Sequence, residues 1–305
     1  MRQVSLLAPD RDRLAASTDE VKRTVEIVWS AYRSVLSKEG RLAYVSTAIT
    51  SGRRMWDAVL ALGLKDPEQL KTHHPDVFRS DVILPNVAAG TGLARELAGQ
   101  IDHPVVAPAI FEARKQRWGQ DEYMALWLKM IEENVGRIYM VPGWEFSNGG
   151  AEEYLHAAQM ALGFRSRHDI TPLDAQGRVI PIPTAADAIG RALLWLHERG
   201  GKAPVLAQVY CGLVTILGMW LAPEISRDLP QYGAYNDEFL SASLRDRPLQ
   251  CRQFSTLEDV ARLLKLEYGI DSVYLSANTG SGVPRTSDAT PEGIVLKAED
   301  PPDKA

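Results

Sequence analysis

The residues best placed to do chemistry lie in one stretch, Met140 to Gly163, where an apolar run meets Trp144, a Ser147–Asn148 pair and two glycines, Gly149 and Gly150. A helix is predicted to follow over Ala151–Leu162, with Glu152 and Glu153 in its first turn. In open α/β sheets, ligands sit where strands end and helices begin. The helix N-terminus there offers free N–H groups and a positive dipole end. A carboxylate held at that end stays ionised, as a nucleophile or an electrostatic stabiliser must. The same residues also suit a purely structural role. Glu in a first turn favours the dipole, and Ser147–Asn148 are ordinary capping residues.

A second cluster follows the first apolar run: Thr47-Ala48-Ile49-Thr50-Ser51-Gly52-Arg53-Arg54. Hydroxyls, a glycine, a helix start and two arginines suit a phosphate cradle, or equally a capped helix with solvent-facing arginines. It lacks the Gly-Lys-Ser/Thr ending of a Walker loop. Gly90-Thr91-Gly92 is one Gly-x-Gly without the rest of a dinucleotide fingerprint, and reads as a tight turn. The six histidines show no metal-ligand spacing, and no Gly-x-Ser-x-Gly elbow is present. No metal and no cofactor are expected.

These loops need a scaffold. Residues 13–38 carry helical periodicity. Strands are predicted at Leu42–Ser46, Asp81–Leu84, Pro104–Ala107, Ile138–Val141 and Val179–Ile182, the last after a turn at Asp174–Gly177. Helices are predicted at Arg53–Leu64, Leu93–Gln100, Asp121–Glu133 and Ala151–Leu162. The alternation implies an α/β fold, a parallel sheet covered by helices on both faces. Its C-terminal edge gathers Ser46–Gly52, Pro85–Gly92, Pro108–Phe111 and Pro142–Gly150. After residue 183 strand signals nearly vanish, and Ala185–Glu198, Ala203–Ala222, Asp237–Arg245 and Thr256–Glu267 read as helices. The expected organisation is an α/β domain over 1–183 with an N-terminal helical arm over 1–40. A mainly helical region over 184–275 follows, as a second domain or an oligomerisation and lid element, and then a flexible tail over 276–305.

The 305 residues are 45% hydrophobic and 24% charged, an ordinary globular balance. A net charge of −5 argues against a nucleic-acid polymer as partner, while leaving room for a small phosphorylated ligand. Two cysteines, Cys211 and Cys251, form neither a disulfide scaffold nor a zinc site and fit a reducing cytoplasm. No signal peptide is apparent. Residues 204–222 approach membrane-spanning length, but Gln208, Thr215 and two glycines favour a buried core or interface helix.

Tyr44-Val-Ser46 with its Thr/Ser turn, followed later by Gly-Trp-x-x-Ser-x-Gly-Gly-Ala-x-Glu-x-x-x-Ala from Gly143 to Ala157, resembles the nucleoside 2-deoxyribosyltransferase-like superfamily. The resemblance covers residues 40–165. It implies a Rossmann-like sheet and cleavage of an N-glycosidic bond, by transfer or hydrolysis, in a nucleoside or nucleoside 5′-monophosphate. Gly149, Ala151 and Glu153 carry the signature, which makes Glu153 the nucleophile. Such a bond breaks through an oxocarbenium-like sugar, so one carboxylate must lie beneath C1′. Glu152 points about 100° away around the helix. Tyr44, Ser46, Thr47, Thr50, Arg53, Trp144, Ser147, Asn148, Gly149 and Gly150 become the substrate-binding residues, with the Thr47–Arg53 turn on a 5′-phosphate. Trp144 either stacks a base or plugs the strand end. The first turn has Thr47-Ala48 where relatives carry Gly-Pro, and relatives' two aspartates fall near Trp127 and Gly136. The proton donor is therefore sought among Asp121, Glu122 and Glu145, with Asp121 the choice. Relatives complete the pocket across a dimer, so a homo-oligomer, dimer or higher, is expected. Two other readings stay open: a non-catalytic nucleotide sensor and an NAD-cleaving glycohydrolase.

Overall fold

The computed structural model describes residues 23, 26–30, 41–110, 120–163, 169–221, 236–245, 257–270, 274–275 and 294–295. Four parallel strands form the central sheet: β1 (Leu42–Ser46), β2 (Val105–Val106), β3 (Val135–Met140) and β4 (Thr171–Asp174), in the order β2-β1-β3-β4. β1 therefore has β2 on one side and β3 on the other. The chain reverses its direction of travel across the sheet at this point, which opens a crevice at the C-terminal ends of these strands.

The alternation of side chains along a strand divides the core in two. Ala43 and Val45 of β1, with Tyr139 and Leu173, pack with Ala94 and Leu97 of helix α3 (Leu84–Ala98) in a small cluster. Leu42 and Tyr44, with Ile138 and Met140, belong to the larger cluster on the opposite face. That cluster takes in α4 (Gln120–Asn134) and α5 (Asn148–Ala161). The sheet is thus covered on both faces, a Rossmann-like α/β arrangement. Helices α1 (Arg53–Ala61) and α2 (Pro67–His73) follow β1.

Beyond residue 183, α6 (Ile182–His197), α7 (Pro204–Leu221), α8 (Asp237–Arg245) and α9 (Leu257–Tyr268) lie close to the predicted spans. Their buried residues join the larger cluster: Ile189, Leu206, Val214, Phe239 and Leu264 are packed with residues of β1 and α5. α7 lies against both α5 and α6, which explains its nearly unbroken apolar composition. No helix among the described residues is long and apolar enough to cross a membrane.

Several predicted elements differ from those observed. The predicted strand Asp81–Leu84 is helical: Phe78–Ile83 forms a π-helical stretch that runs directly into α3, with Pro85 in its first turn. The predicted turn Ala88–Gly92 lies inside α3. A short apolar run cannot be assigned by periodicity alone. The buried stripe here is Val82, Asn86, Gly90, Ala94 and Leu97, whose i, i+4 repeat is masked because two of its members are not apolar. The fourth strand of the sheet precedes the Asp174–Gly177 turn instead of following it. Val179 makes only an antiparallel bridge back to Leu173, and Ile182 opens α6. Helix α5 starts at Asn148, three residues before the predicted Ala151, because the Ser147 hydroxyl caps it by accepting from the Gly150 N–H at 3.2 Å. Glu153 consequently lies in the second turn. Of the predicted N-terminal helix, residues 23 and 26–30 are helical, and Trp29 donates to Glu133 of α4 at 2.9 Å. The rest of that span, and the tail apart from the pair Ile294–Val295, lie outside the described residues.

Within α5, Tyr154 stacks on Trp144 at 5.0 Å between centroids and donates its hydroxyl to the Ile180 carbonyl at 2.8 Å. Tyr154→Phe keeps the stack and removes a buried hydrogen bond. It should lower the free energy of urea unfolding by about 1–2 kcal/mol with an unchanged denaturant slope.

Candidate functional site

The period of β1 sets the centre of the site. Tyr44 and Ser46 are two residues apart, so both point to the face covered by α5. There they meet Glu153. The Tyr44 hydroxyl donates to Glu153 Oε1 at 2.6 Å and the Ser46 hydroxyl to Oε2 at 2.5 Å, distances typical of hydroxyls bound to carboxylate. All three side chains are buried.

Burial dominates the electrostatics. Loss of solvation pushes the Glu153 carboxyl from its ordinary 4.5 up to about 7, although hydrogen bonds from Ser46 and Tyr44 pull the other way; the charge of Glu152 adds to the rise. The Tyr44 hydroxyl is pushed well above its ordinary value, first by burial and then by Glu153, so it keeps its proton and acts as a donor. The expectation from the sequence is an ionised carboxylate in the first turn of a helix. The structure instead gives a carboxyl in the second turn that gains and loses its proton near neutrality.

Glu153 lies at the edge of a small cleft of about 70 Å³ that is partly open to solvent. The turn after β1 contributes Thr47, Ile49, Thr50 and Ser51, and the start of α5 contributes Ser147, Gly149 and Gly150. Pro108, after β2, and Tyr123, Met124 and Trp127 of α4 complete the wall. The Ser51 and Ser147 hydroxyls are 2.9 Å apart and tie the two loops together. Gly52 ends the turn at φ 85°, in the left-handed region that favours glycine, and a β-carbon there would come within 2.7 Å of Ala48 Cβ.

The expected site residues are thus partly brought together. Glu153, Thr47, Thr50, Ser147, Gly149 and Gly150 line the cleft. Tyr44 and Ser46 act one layer deeper, on the carboxyl itself. Trp144 is a core residue under Tyr154, the strand-end plug of the two roles considered. Asn148 is exposed and does not line the cleft. Arg53 does not line it either. Its guanidinium lies 3.9 Å from the centre of the Trp195 ring and 5.1 Å from that of Phe146, and its Nε donates to Asp57 at 2.9 Å. Two aromatic faces and a carboxylate one helical turn away hold this cation outside the cleft. Asp121 and Glu122 lie in α4, but their side chains are outside the described residues; Glu145 is half-buried and lines no part of the cleft.

Tyr123 and Trp127 read in the sequence as apolar helix positions, Trp127 also as the place near which relatives carry an aspartate, and neither as a cleft wall. Their i, i+4 spacing on the helix before β3 was the available signal for an aromatic wall. Asn86, which donates to the carbonyls of Ile49 and Ser51 at 3.2 Å each, was covered only by the Pro85–Gly92 segment expected at the C-terminal edge, with no role of its own.

Residues 92–164 match the family model described as Domain of unknown function (DUF4406), a span that runs from within α3 to just beyond α5. No curated protein and no solved structure matches the chain.

Glu153 binds its proton more tightly in the folded chain than in the unfolded one. The folded state therefore holds more protons between about pH 4.5 and 7, and the associated stability, complete below that window, is lost as pH rises through it. Glu153→Gln keeps the shape without the charge. Wild-type stability should fall by up to about 3 kcal/mol more than that of Glu153→Gln between about pH 5 and pH 8, measured by urea unfolding at each pH.

Proposed function

We propose that the protein cleaves the N-glycosidic bond of a nucleoside or nucleoside 5′-monophosphate, with Glu153 as the group that meets the anomeric carbon. The observation that carries this reading is the buried Glu153 carboxyl, held by Tyr44 and Ser46 beside a cleft rich in hydroxyl groups. A carboxyl poised near neutrality supplies enough anion to bond to C1′ or to stabilise an oxocarbenium-like sugar. The two hydroxyl donors fix its orientation.

The walls suit the two ends of such a substrate. Tyr123 and Trp127 offer aromatic surface to a base. Thr50 and Ser51 offer hydroxyls to the sugar, and the start of α5 favours an electronegative 5′ group. Arg53 has no part in this version of the site, so a phosphate would be met by hydroxyls and the helix end. The Gly149, Ala151 and Glu153 spacing, similar to that of the nucleoside 2-deoxyribosyltransferase-like superfamily, supports the same reaction. Oligomerisation belongs to the same reading.

One observation favours a second reading, a nucleotide-binding module without catalysis. Among the described cleft-lining residues Glu153 is the single carboxylic acid, and Trp127 lies where the resemblance leads one to look for another. A departing base then lacks an evident proton donor.

Base release from a panel of nucleosides, nucleoside 5′-monophosphates and NAD separates the readings. Wild-type protein should release base from at least one member, and Glu153→Gln should lose several orders of magnitude in rate while remaining folded. Below about pH 7, kcat/KM should fall about tenfold per pH unit as Glu153 becomes protonated. Equal turnover by wild type and Glu153→Gln refutes the enzyme reading; thermal stabilisation by a nucleotide without base release establishes the binding one.

A further inference from the structure

Helix α3 shapes the cleft without lining it. Asn86 and Gly90 lie one turn apart on its buried stripe, and both face the Thr47–Ser51 turn. Asn86 Nδ2 engages two carbonyl oxygens of that turn, those of Ile49 and Ser51. This leaves side-chain hydroxyls as prominent polar groups for a ligand. Gly90 lets the helix approach so closely that a β-carbon there would stand 2.3 Å from Thr47 Oγ1 and 2.9 Å from its Cγ2.

Thr47 lines the cleft, yet its hydroxyl oxygen is shut off from solvent and has no hydrogen-bond partner. A buried hydroxyl left unbonded is unfavourable and calls for a reason. Rotation between the staggered positions of χ1 exchanges the hydroxyl with the methyl or the hydrogen on the same carbon. Such a rotation would carry the unbonded oxygen away from Gly90.

We propose that Thr47 is a specificity residue that turns its hydroxyl to an oxygen of the ligand's sugar or 5′ substituent, and that Asn86 and Gly90 are positioning residues that hold the turn for this exchange. The proposal rests on the reading of the cleft as a nucleoside or nucleotide site.

The test uses the full-length protein, calorimetric titration and thermal unfolding. The titrants are ribo- and 2′-deoxyribonucleosides, their 5′-monophosphates and a 5′-deoxynucleoside. Thr47→Ala should bind about tenfold more weakly or worse, while its ligand-free Tm stays within about 2 °C of wild type or rises. Thr47→Ser should bind within about threefold of wild type. Asn86→Ala should weaken binding about tenfold alone, but less than about threefold when added to Thr47→Ala, because it acts through that residue. The 5′-deoxynucleoside tells a ring hydroxyl from the 5′ substituent: loss of the Thr47→Ala effect with it assigns the 5′ group. If wild type binds a titrant and Thr47→Ala binds it equally, this inference alone falls. The same holds if Thr47→Ala lowers the ligand-free Tm by more than about 5 °C, which would make the hydroxyl structural, or if the Asn86→Ala and Thr47→Ala losses add in full. If wild type binds none of the panel, the nucleotide reading falls and this inference with it.

Discussion

Two hydroxyls grip one carboxyl at the C-terminal edge of the sheet, and the arrangement depends on residues 109 and 107 positions apart in the chain. A carboxylate removed from water is strongly disfavoured unless donors replace its hydration. Tyr44 and Ser46 replace part of it, one on each oxygen. For both to do so, β1 must present alternate residues to α5, and α5 must run close beneath β1 and β3. The all-parallel sheet meets this requirement because its crossover helices lie flat on its faces. Ser147 caps α5 and meets Ser51 across the cleft, so the geometry that buries Glu153 also brings the two hydroxyl-bearing loops together.

The compensation is incomplete, and the shortfall is chemically informative. No described lysine, arginine or histidine lines the cleft, and the nearest expected cation, Arg53, is committed to Trp195, Phe146 and Asp57. Neutral donors favour the anion less strongly than a paired guanidinium would. Burial therefore prevails, and the carboxyl titrates near neutrality instead of staying ionised. Strongly perturbed carboxyls in clefts are enriched at functional sites. The proposed role of Glu153 thus has a physical support separate from the resemblance.

Much of the scaffold was legible in the sequence. β1 coincides with its predicted span, and α1, α4, α6, α7, α8 and α9 lie within a few residues of theirs, because their apolar periodicity is strong. Failures concentrate where residues serve the cleft. Only the C-terminal end of the stripe Val82–Leu97 was legible, as the predicted helix Leu93–Gln100; the part before it was not, because Asn86 and Gly90 stand at its buried positions. The start of α5 was set too late because capping is decided by one hydroxyl, not by periodicity. At the site, the side chains that share a loop or a strand with a motif were recoverable. Arg53 was not, since its direction depends on Trp195, which is distant in sequence. Met124 and Trp127 line the cleft from a helix whose apolar face had only one evident use, the core.

This pattern has a physical origin. A core position asks for an apolar side chain of suitable volume, and periodicity reports that demand directly. A position that shapes the Thr47–Ser51 turn asks for something else: donors for two carbonyls at Asn86, and no β-carbon at Gly90. Both demands weaken the helix that must satisfy them, since Gly and Asn are poorer helix formers than Ala. α3 tolerates them because its other stripe residues, Ala94 and Leu97, are anchored on β1 and β3 through the smaller cluster. Tertiary packing on one half of the helix thus permits unfavourable local choices on the other. The residues least readable from periodicity are then the ones with the strongest reason to be there.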